Sequence, residues 1–301
     1  MICKNDVHNN LAENYFSAIK YILGSRQVSV KGKLKFLLRS PRHWKLVAYF
    51  LSNLKTLGLV VIVEKCPGLL EKFCRPYLSA KTDACNKLGK LLGHYRLLGQ
   101  RLSKETISTF FGKGLSLFSL TSQGENLECV IEYDGQYQKE GEICIKLLLG
   151  ADRRQIYTLV MLFNKHAAFV SCLQGCSGQS VSISQITKMC YGLRPQNLLL
   201  FVAQELTRLL SCKAIYGISS DFHVYQLRAR TRNRIVFNYD RFWTELGAMP
   251  CGAWYALTIE YPRNLAENIP SKKRALYKRR YALMDKLTLD IAATITPRLI
   301  S

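Results

Sequence analysis

The stretch Tyr191–Leu200, YGLRPQNLLL, decides how the second half of this chain is expected to fold. It predicts a tight turn that leads into a strongly apolar helix over Pro195–Leu210, because proline is favoured in the first helical turn, where its missing N–H costs nothing. A second stretch, Asn238–Leu257 (NYDRFWTELGAMPCGAWYAL), predicts a short amphipathic helix, a loop and a terminal strand. The apolar run Lys213–Ile218 lies between them and predicts a buried strand. Helices and strands are therefore expected to alternate here.

Upstream of this stretch the pattern is that of short β-strands. Five β-rich runs follow Gly114 at close spacing, separated by turn residues such as Asp134-Gly135 and Asn164-Lys165. Consecutive strands at this spacing predict an antiparallel meander. A short helical period over Ser184–Cys190 then precedes the apolar helix. The five runs are Leu115–Leu120, Leu127–Asp134, Ile143–Leu149, Gln155–Asn164 and Ala167–Leu173.

The first third of the chain predicts helices. Apolar residues recur at helical spacing within Leu11–Leu23 and within Asp83–Leu102. Another helix is predicted from His43 towards Glu64, where Cys66-Pro67-Gly68 breaks it. The residues between Leu23 and the start of that helix predict a basic, turn-rich segment.

These elements predict an α+β fold in three parts. A helical N-terminal half covers residues 1–112, a mixed sheet with helices covers 113–262, and a C-terminal basic helix within 263–301 packs on the sheet domain. In the last part Ser271 is the predicted N-cap, and the basic cluster Lys272–Arg280 precedes the apolar positions. With 301 residues, of which 48% are hydrophobic, the chain is long enough to bury a substantial core.

The charge of the chain predicts a polyanionic partner. The formal net charge is +22, from 43 Lys and Arg against 21 Asp and Glu. Residues 1–120 hold 20 basic and 6 acidic residues (+14), and residues 121–301 hold 23 and 15 (+8). The phosphates of an acyl-CoA, RNA and anionic lipid headgroups are all candidates, although no sequence signature of an RNA-binding domain accompanies the charge. Alternating arginines predict a basic strand edge or an anion-binding loop at Arg228, Arg230, Arg232 and Arg234.

The cysteines and histidines predict no metal site. The 11 cysteines form no CxxC pair, and the 5 histidines are scattered, so no Cys/His cluster is expected. An odd number of cysteines points to a reducing compartment. The first ten residues lack the order of a secretory signal, and Lys55 argues against a membrane span within Leu46–Val63. The sequence therefore predicts a cytoplasmic protein without a transmembrane segment, with contact to the inner membrane surface left open.

The order of elements in the second half resembles the GNAT-type N-acyltransferase fold. In that fold the pyrophosphate of the cofactor lies on backbone N–H groups at the start of the central helix. The resemblance implies an acyl-CoA or another acyl donor as cofactor. The residues implied in binding it are Gln174 and Gly175 at the end of the preceding strand, and Gly192, Arg194 and Asn197 in the turn. The alternative is that Arg194 pairs with a carboxylate and the turn only connects two elements.

Three residues are candidates for catalysis. Tyr239 could protonate a leaving thiolate, as a late tyrosine does in such transferases, and Asp240 could accept a proton from an amine. Asp240 could instead N-cap the helix that follows it. His223 could act as a general base near neutral pH, or it could be a structural histidine between Phe222 and Val224. Both interpretations remain open for Asp240 and for His223.

Several separate motifs resemble those of the VirK/YbjX family, over roughly residues 40 to 290. They are Gln174-Gly175, Gly192-Leu193-Arg194-Pro195, His223-Val224-Tyr225, Asn238-Tyr239-Asp240-Arg241-Phe242-Trp243, and Lys273-Arg274-Ala275-Leu276-Tyr277-Lys278-Arg279-Arg280. The resemblance implies a protein of Gram-negative enterobacteria that acts in virulence or envelope physiology, through expression of a surface virulence protein or resistance to cationic antimicrobial peptides. The expected biochemical act is acyl transfer. The alternative is a non-enzymatic basic regulator that binds RNA or the inner membrane surface.

Overall fold

The structure, a computed structural model, describes residues 4–122, 124–176, 178, 180–227, 237–264, 267 and 269–300. The alternating arginines Arg228, Arg230, Arg232 and Arg234 lie outside these residues. The described residues confirm the predicted fold class, since a helical N-terminal half is followed by a mixed sheet with helices and by a C-terminal helix.

Among the residues that the structure describes, six helices form the N-terminal half. They are α1 (Lys4–Gly24), α2 (Val30–Arg39), α3 (Trp44–Thr56), α4 (Val60–Lys65), α5 (Ala84–Arg101) and α6 (Lys104–Phe110). Side-chain N-caps begin α2 and α5. The side chain of Ser29 accepts the N–H of Gly32, and that of Asp83 accepts the N–H of Asn86. The predicted continuous helix from His43 to Glu64 is wrong, since Gly58 has φ +68° and separates α3 from α4.

The segment after α1 also differs from its prediction. The sequence predicted turns between Leu23 and Ser40, and the structure has the ten-residue helix α2 there. The lysines of this segment obscured a helical pattern in which Ser29 is the N-cap and Phe36 points into the core.

One mixed sheet forms the centre of the second half. The strands β1 (Leu115–Ser122), β2 (Glu125–Glu132), β3 (Ile143–Leu149), β4 (Arg154–Phe163) and β5 (Ala168–Gly175) are antiparallel neighbours, which confirms the meander. The strand β6 (Ile215–Ile218) runs parallel to β5. The last two strands, β7 (Met249–Cys251) and β8 (Trp254–Leu257), complete the order β1-β2-β3-β4-β5-β6-β8-β7. The sequence predicted β8 and took β7, a short exposed strand with a central proline, for part of a loop.

In the described part of the second half, four helices accompany the sheet. They are α7 (Ser180–Met189), α8 (Pro195–Leu209), α9 (Tyr239–Glu245) and α10 (Arg274–Ile295). The helix α8 packs on β3 and β4, and α10 packs on α8 and β1. All but the first two residues of β4 are buried, as expected for a strand covered on both faces. One continuous cluster of buried apolar side chains runs from Phe50 in α3 through Leu147 in β3 to Ile291 in α10. The division into parts at residues 112 and 262 stays a prediction.

A buried ion pair joins the helical half to the sheet. Lys72, in the 3-10 segment Pro67–Cys74, contacts the carboxylate of Glu142, and both side chains are fully buried. The hydroxyl groups of Tyr77 and Tyr95 each donate to the same carboxylate at 2.5 Å. Burial lowers the pKa of Lys72 and, together with Glu142, raises those of both tyrosines well above their usual value. We refer to these four residues as the junction.

His94 in α5 makes the stability of the fold depend on pH. It is fully buried, its Nδ1 accepts the N–H of Phe163 at 3.2 Å, and burial lowers its pKa from 6.5 to about 4. The unfolded chain therefore binds the proton first, so this contribution to stability is complete above about pH 6.5 and is lost as the pH falls towards about 4.

Replacing this histidine is expected to flatten the pH dependence. Because the buried ring resists protonation, lowering the pH from about 8 to about 5 is expected to reduce the free energy of unfolding by about 2 kcal/mol. His94→Gln removes this pH-dependent loss. Urea denaturation of both proteins at the two pH values measures it. An equal loss in the variant would show that His94 does not titrate in this way.

Candidate functional site

The parallel strands β5 and β6 pair over three residues. Their register pairs Ala168 with Ile215, Phe169 with Tyr216, and Val170 with Gly217, while β5 continues to Gly175. Beyond the paired residues the N–H of Leu173 donates to the hydroxyl of Tyr239 at 3.1 Å. The side chain of Tyr239 is 2% exposed. A tyrosine hydroxyl therefore satisfies a backbone donor of β5 beyond the end of its pairing with β6.

The helix α9 fixes the position of Tyr239. Asn238 is its N-cap and accepts the N–H of Arg241 at 3.0 Å. The fully buried Trp243 donates from Nε1 to the carbonyl of Ile218 at 2.7 Å, and its ring lies against Gly217, where a Cβ would be only 2.4 Å from it. Gly217 thus provides the space in which the α9 tryptophan packs on β6.

The sequence left open that Asp240 is the N-cap of α9. This interpretation is wrong, because Asn238 is the N-cap. The Oδ1 atom of Asp240 accepts the N–H of Ser220 at 3.1 Å, and the hydroxyl of Ser220 accepts the N–H of Tyr239 at 3.2 Å. Asp240 therefore ties the start of α9 to the turn that precedes His223. Its catalytic role stays a prediction.

His223 lies inside the protein, against Tyr239. The two rings stack with centroids 5.2 Å apart and an interplanar angle of 22°, and His223 is 3% exposed. Its Nε2 atom lies 3.7 Å from Oε1 of Glu140, and its Nδ1 accepts the N–H of Tyr225 at 3.4 Å. Burial lowers the pKa of His223 to about 4, so the ring is neutral at neutral pH.

Two residues that the sequence did not single out complete this site. Glu140 and Cys172 are buried, and their ligand atoms and one ring nitrogen of His223 all lie within 4.8 Å of one another. The Cys172 thiol is also hydrogen-bonded to Glu140 and to Tyr239. Burial raises the pKa of Glu140 to about 7 and that of Cys172 well above its usual value. We call Glu140, Cys172, His223 and Tyr239 the His223 cluster.

No local spacing in the sequence could have revealed the His223 cluster. Glu140 lies before β3, Cys172 is in β5, and His223 follows the 3-10 turn Ser220–Phe222. The prediction that no Cys/His cluster forms is therefore wrong, since the fold brings Cys172 and His223 together from distant parts of the chain.

The predicted cofactor residues at the end of β5 lie at the surface. Gln174 and Gly175 are exposed, and the Gln174 side chain is hydrogen-bonded to Tyr137. A Cβ on Gly175 would be 2.8 Å from the ring of Tyr157, so close packing of that ring accounts for the glycine. Their role in binding a cofactor stays a prediction.

The predicted phosphate turn is held by internal hydrogen bonds. The N–H groups of Tyr191, Gly192 and Leu193 donate to the carbonyls of Lys188, Thr187 and Cys190 at 3.1, 2.7 and 3.0 Å, which closes the end of α7. These three N–H groups of the turn are therefore already engaged.

The C-terminal helix covers the same turn. Arg280 in α10 donates from Nε to the carbonyl of Tyr191 at 3.0 Å, and its guanidinium lies over Gly192. Asn197 is hydrogen-bonded to Tyr261, while Arg194 is exposed and accepts the first N–H groups of α8 on its carbonyl. Cofactor binding by Gly192, Arg194 and Asn197 stays a prediction.

The helix α2 carries an unusual apolar surface. Val30, Leu34 and Leu38 are 84%, 58% and 74% exposed, and Leu37 is 37% exposed. Their spacing puts them on one side of the helix, while Phe36 is buried and anchors α2 to the core. We call these four exposed residues the α2 ridge.

The segment that carries the α2 ridge is strongly basic. Between residues 14 and 63 the sequence has nine Lys and Arg and no Asp or Glu. A cleft of about 390 Å³ separates α2 from the segment Pro67–Cys74 and the loop before β3. Its charged lining residues are Lys35, Arg39, Arg75 and Lys139, against the single carboxylate of Glu71. The helix α2 and its surroundings therefore combine positive charge with exposed apolar side chains.

The structure defines the class of this protein as an α+β protein with a helical N-terminal half and a mixed sheet. Residues 26–293 match the family described as "Protein of unknown function (DUF535)". The chain belongs to this family, and the resemblance to VirK/YbjX proteins is confirmed.

Three bacterial proteins illustrate the relationship. The protein YbjX of Escherichia coli (strain K12) is 31% identical over 270 residues, which cover 86% of this chain and 82% of its own. Two proteins of Haemophilus influenzae are 26% and 24% identical over 277 and 225 residues. These alignments cover 86% and 74% of this chain, and 90% and 75% of the relatives. No solved structure matches the chain.

Proposed function

We propose that this protein acts in envelope physiology by binding the anionic surface of the inner membrane from the cytoplasmic side. The observation that carries the proposal is the α2 ridge, a row of exposed apolar side chains on a helix rich in lysine. A helix of this kind lies in the membrane interface, with its apolar side among the acyl chains and its lysines at anionic headgroups. The virulence and peptide-resistance roles linked to the family are part of this proposal.

Contacts with the core and with α1 hold the helix α2 in place, so α2 need not become ordered when it binds a membrane. Phe36 is 1% exposed, and Lys33 donates from Nζ to the carbonyl of Leu23 at 2.6 Å, which ties α2 to α1. The hydroxyl groups of Tyr15 and Ser40 lie 2.7 Å apart and hold the other end. A preformed surface loses little conformational entropy when it binds. The helical segment Trp44–Thr56 that follows packs one side into the core, with Phe50, Leu51 and Leu54 buried. In the described chain, no helix is long and apolar enough to cross a membrane.

A membrane fits the α2 ridge better than RNA does. RNA is bound by cations that contact phosphates and by aromatic or arginine side chains that stack on bases. The exposed residues of the α2 ridge are Val30, Leu34, Leu37 and Leu38, which neither stack nor form hydrogen bonds. Exposed apolar area of this kind is stabilised by acyl chains, at about 25 cal/mol per Å² removed from water.

Replacing two leucines of the α2 ridge is expected to weaken membrane binding. The double variant Leu34→Gln, Leu38→Gln keeps the net charge and the helix propensity but removes apolar area, so its partition onto anionic vesicles falls by at least about tenfold. Vesicle flotation with phosphatidylglycerol-containing and phosphatidylcholine vesicles measures it. Leu289→Gln is the matched control, because Leu289 is 70% exposed on α10. Equal partition of the double variant and the control contradicts the proposal, as does tight RNA binding with no vesicle binding.

Acyl transfer is the second candidate, and the short pairing of β5 with β6, next to the contact of Tyr239 with Leu173, favours it. In this hypothesis Tyr239 protonates the leaving thiolate, and Asp240 or the neutral His223 accepts the proton of the acceptor. The donor would have to displace the Tyr239 hydroxyl from the N–H of Leu173. The residues that would bind an acyl-CoA are Gln174, Gly175, Gly192, Arg194 and Asn197.

Calorimetry tests the second candidate separately. If an acyl-CoA binds at the start of α8, then Arg194→Ala loses a charge-assisted contact to its phosphates and weakens binding by about tenfold. Arg208→Ala is a matched control, since Arg208 lies at the other end of α8 and pairs with Glu205. Absence of binding heat for acyl-CoAs of short and long chains would exclude this candidate and leave the membrane proposal intact.

A further inference from the structure

We propose that Glu140, Cys172 and His223 bind a zinc ion. The sequence predicted no metal site. The zinc proposal and the membrane proposal use different residues and are independent of each other. The proposal rests on the geometry of the three side chains and on the chemistry of their donor atoms.

The donor atoms of the three side chains lie close together. A carboxylate oxygen, a thiol sulfur and a ring nitrogen all lie within 4.8 Å of one another, and Nε2 of His223 is 3.7 Å from Oε1 of Glu140. Such separations allow an ion to bridge the three groups after small side-chain movements, at bond lengths of about 2.0–2.3 Å. The three residues come from three different segments, so the fold itself holds this arrangement.

A buried atom without a partner points into the cluster. Among the described residues, Nε2 of His223 has no hydrogen-bond partner, although the residue is 3% exposed. A buried polar nitrogen that lacks a partner costs about 1–3 kcal/mol. Coordination to a metal ion would satisfy this atom and would engage Glu140 and Cys172 at the same time.

The donor set is that of zinc. One thiolate, one imidazole and one carboxylate are all ligands that zinc accepts, whereas calcium and magnesium prefer oxygen alone. A thiolate and a carboxylate carry two negative charges, which a divalent cation neutralises. Neutralisation matters here because Glu140 and Cys172 are almost fully buried, where unpaired charges are costly.

Metal binding requires one local change. The N–H of Tyr225 donates to Nδ1 of His223 at 3.4 Å, so in the metal-free chain the ring proton lies on Nε2. Binding through Nε2 moves that proton to Nδ1 and gives up this long hydrogen bond. The stacked ring of Tyr239 continues to orient the imidazole.

The basic cleft is lined by chain neighbours of two of the three ligands. Its lining includes Lys139, which is adjacent in the chain to Glu140, and Val224 and Tyr225, which follow His223. With three protein ligands the ion keeps a further position for water or another ligand, as catalytic zinc sites do. The ligand class expected there is an anion, because the cleft is lined with lysine and arginine.

Cobalt substitution of the full-length protein tests the proposal. We expect the chelator-treated wild-type chain to bind one equivalent of Co²⁺ with a thiolate-to-cobalt charge-transfer band, and zinc to displace it and to raise the thermal midpoint. Cys172→Ser abolishes the charge-transfer band, and His223→Gln lowers the affinity by at least about tenfold. Cys144→Ser is the matched control, because Cys144 is an equally buried cysteine in β3 of the same apolar cluster.

Two outcomes overturn the proposal. The first is a folded wild-type chain that gives no charge-transfer band and no zinc-dependent change in thermal midpoint. The second is a band that persists in Cys172→Ser or disappears equally in Cys144→Ser. The wild-type titration decides the question by itself if the Cys172 variant does not fold.

Discussion

Glu142→Gln is expected to lower the free energy of unfolding by about 3–5 kcal/mol. Glu142 accepts from Lys72, Tyr77 and Tyr95 in the junction, and all four side chains are buried. The variant leaves the ammonium of Lys72 inside the protein without a counter-charge. Breaking a buried ion pair from one side costs far more than the pair contributes, because the remaining charge stays desolvated.

Urea denaturation at neutral pH measures this effect. The matched control is Glu245→Gln, since Glu245 pairs with Arg241 at 2.8 Å on the exposed surface and is expected to cost less than about 1 kcal/mol. Adding Lys72→Met to Glu142→Gln removes the unpaired charge and should recover part of the loss. A Glu142→Gln variant within about 1 kcal/mol of the wild type would mean that the junction is not a charged pair.

Trp243→Ala is expected to cost about 3–5 kcal/mol. The variant deletes a fully buried ring, loses the 2.7 Å hydrogen bond to the carbonyl of Ile218, and leaves a cavity over Gly217. It also removes a neighbour of Tyr239, whose ring centroid is 6.4 Å from that of Trp243. Loosening of Tyr239 should expose the N–H of Leu173, which bonds to its hydroxyl.

Two measurements separate these effects. Denaturation gives the loss of stability, and amide hydrogen exchange at Leu173 reports whether the Tyr239 hydroxyl still protects it. Trp254→Ala is the control, because Trp254 is only partly buried in β8 and should cost less. Unchanged exchange at Leu173 in a destabilised Trp243→Ala protein would show that α9 does not hold Tyr239.

The sequence predicted those parts of the fold that local patterns determine. The antiparallel meander, the helix α8 and the strand β6 follow from apolar runs, turn residues and a proline at Pro195. The family follows from short motifs along the second half. Local patterns failed at Gly58, where a single residue with φ +68° divides one apolar helical period into two helices.

The candidate sites were harder to predict for physical reasons. Lysines in a short segment made α2 look like a turn-rich loop, although its N-cap Ser29 and the apolar spacing were present. The His223 cluster depends on contacts between distant strands and loops, so Glu140 and Cys172 gave no signal by spacing. The structure also places the predicted phosphate turn beneath Arg280, a contact that only the packing of α10 could reveal.

The central claim is that the α2 ridge enters the membrane interface, and a probe at position 38 tests it most directly. A fluorescent amino acid whose emission reports polarity replaces Leu38 in one protein and Leu289 in another; both positions are exposed, the first on α2 and the second on α10. We predict that anionic vesicles shift the emission of the probe at position 38 to the blue and leave the probe at position 289 unchanged. Vesicle binding with no shift at position 38 would contradict the account.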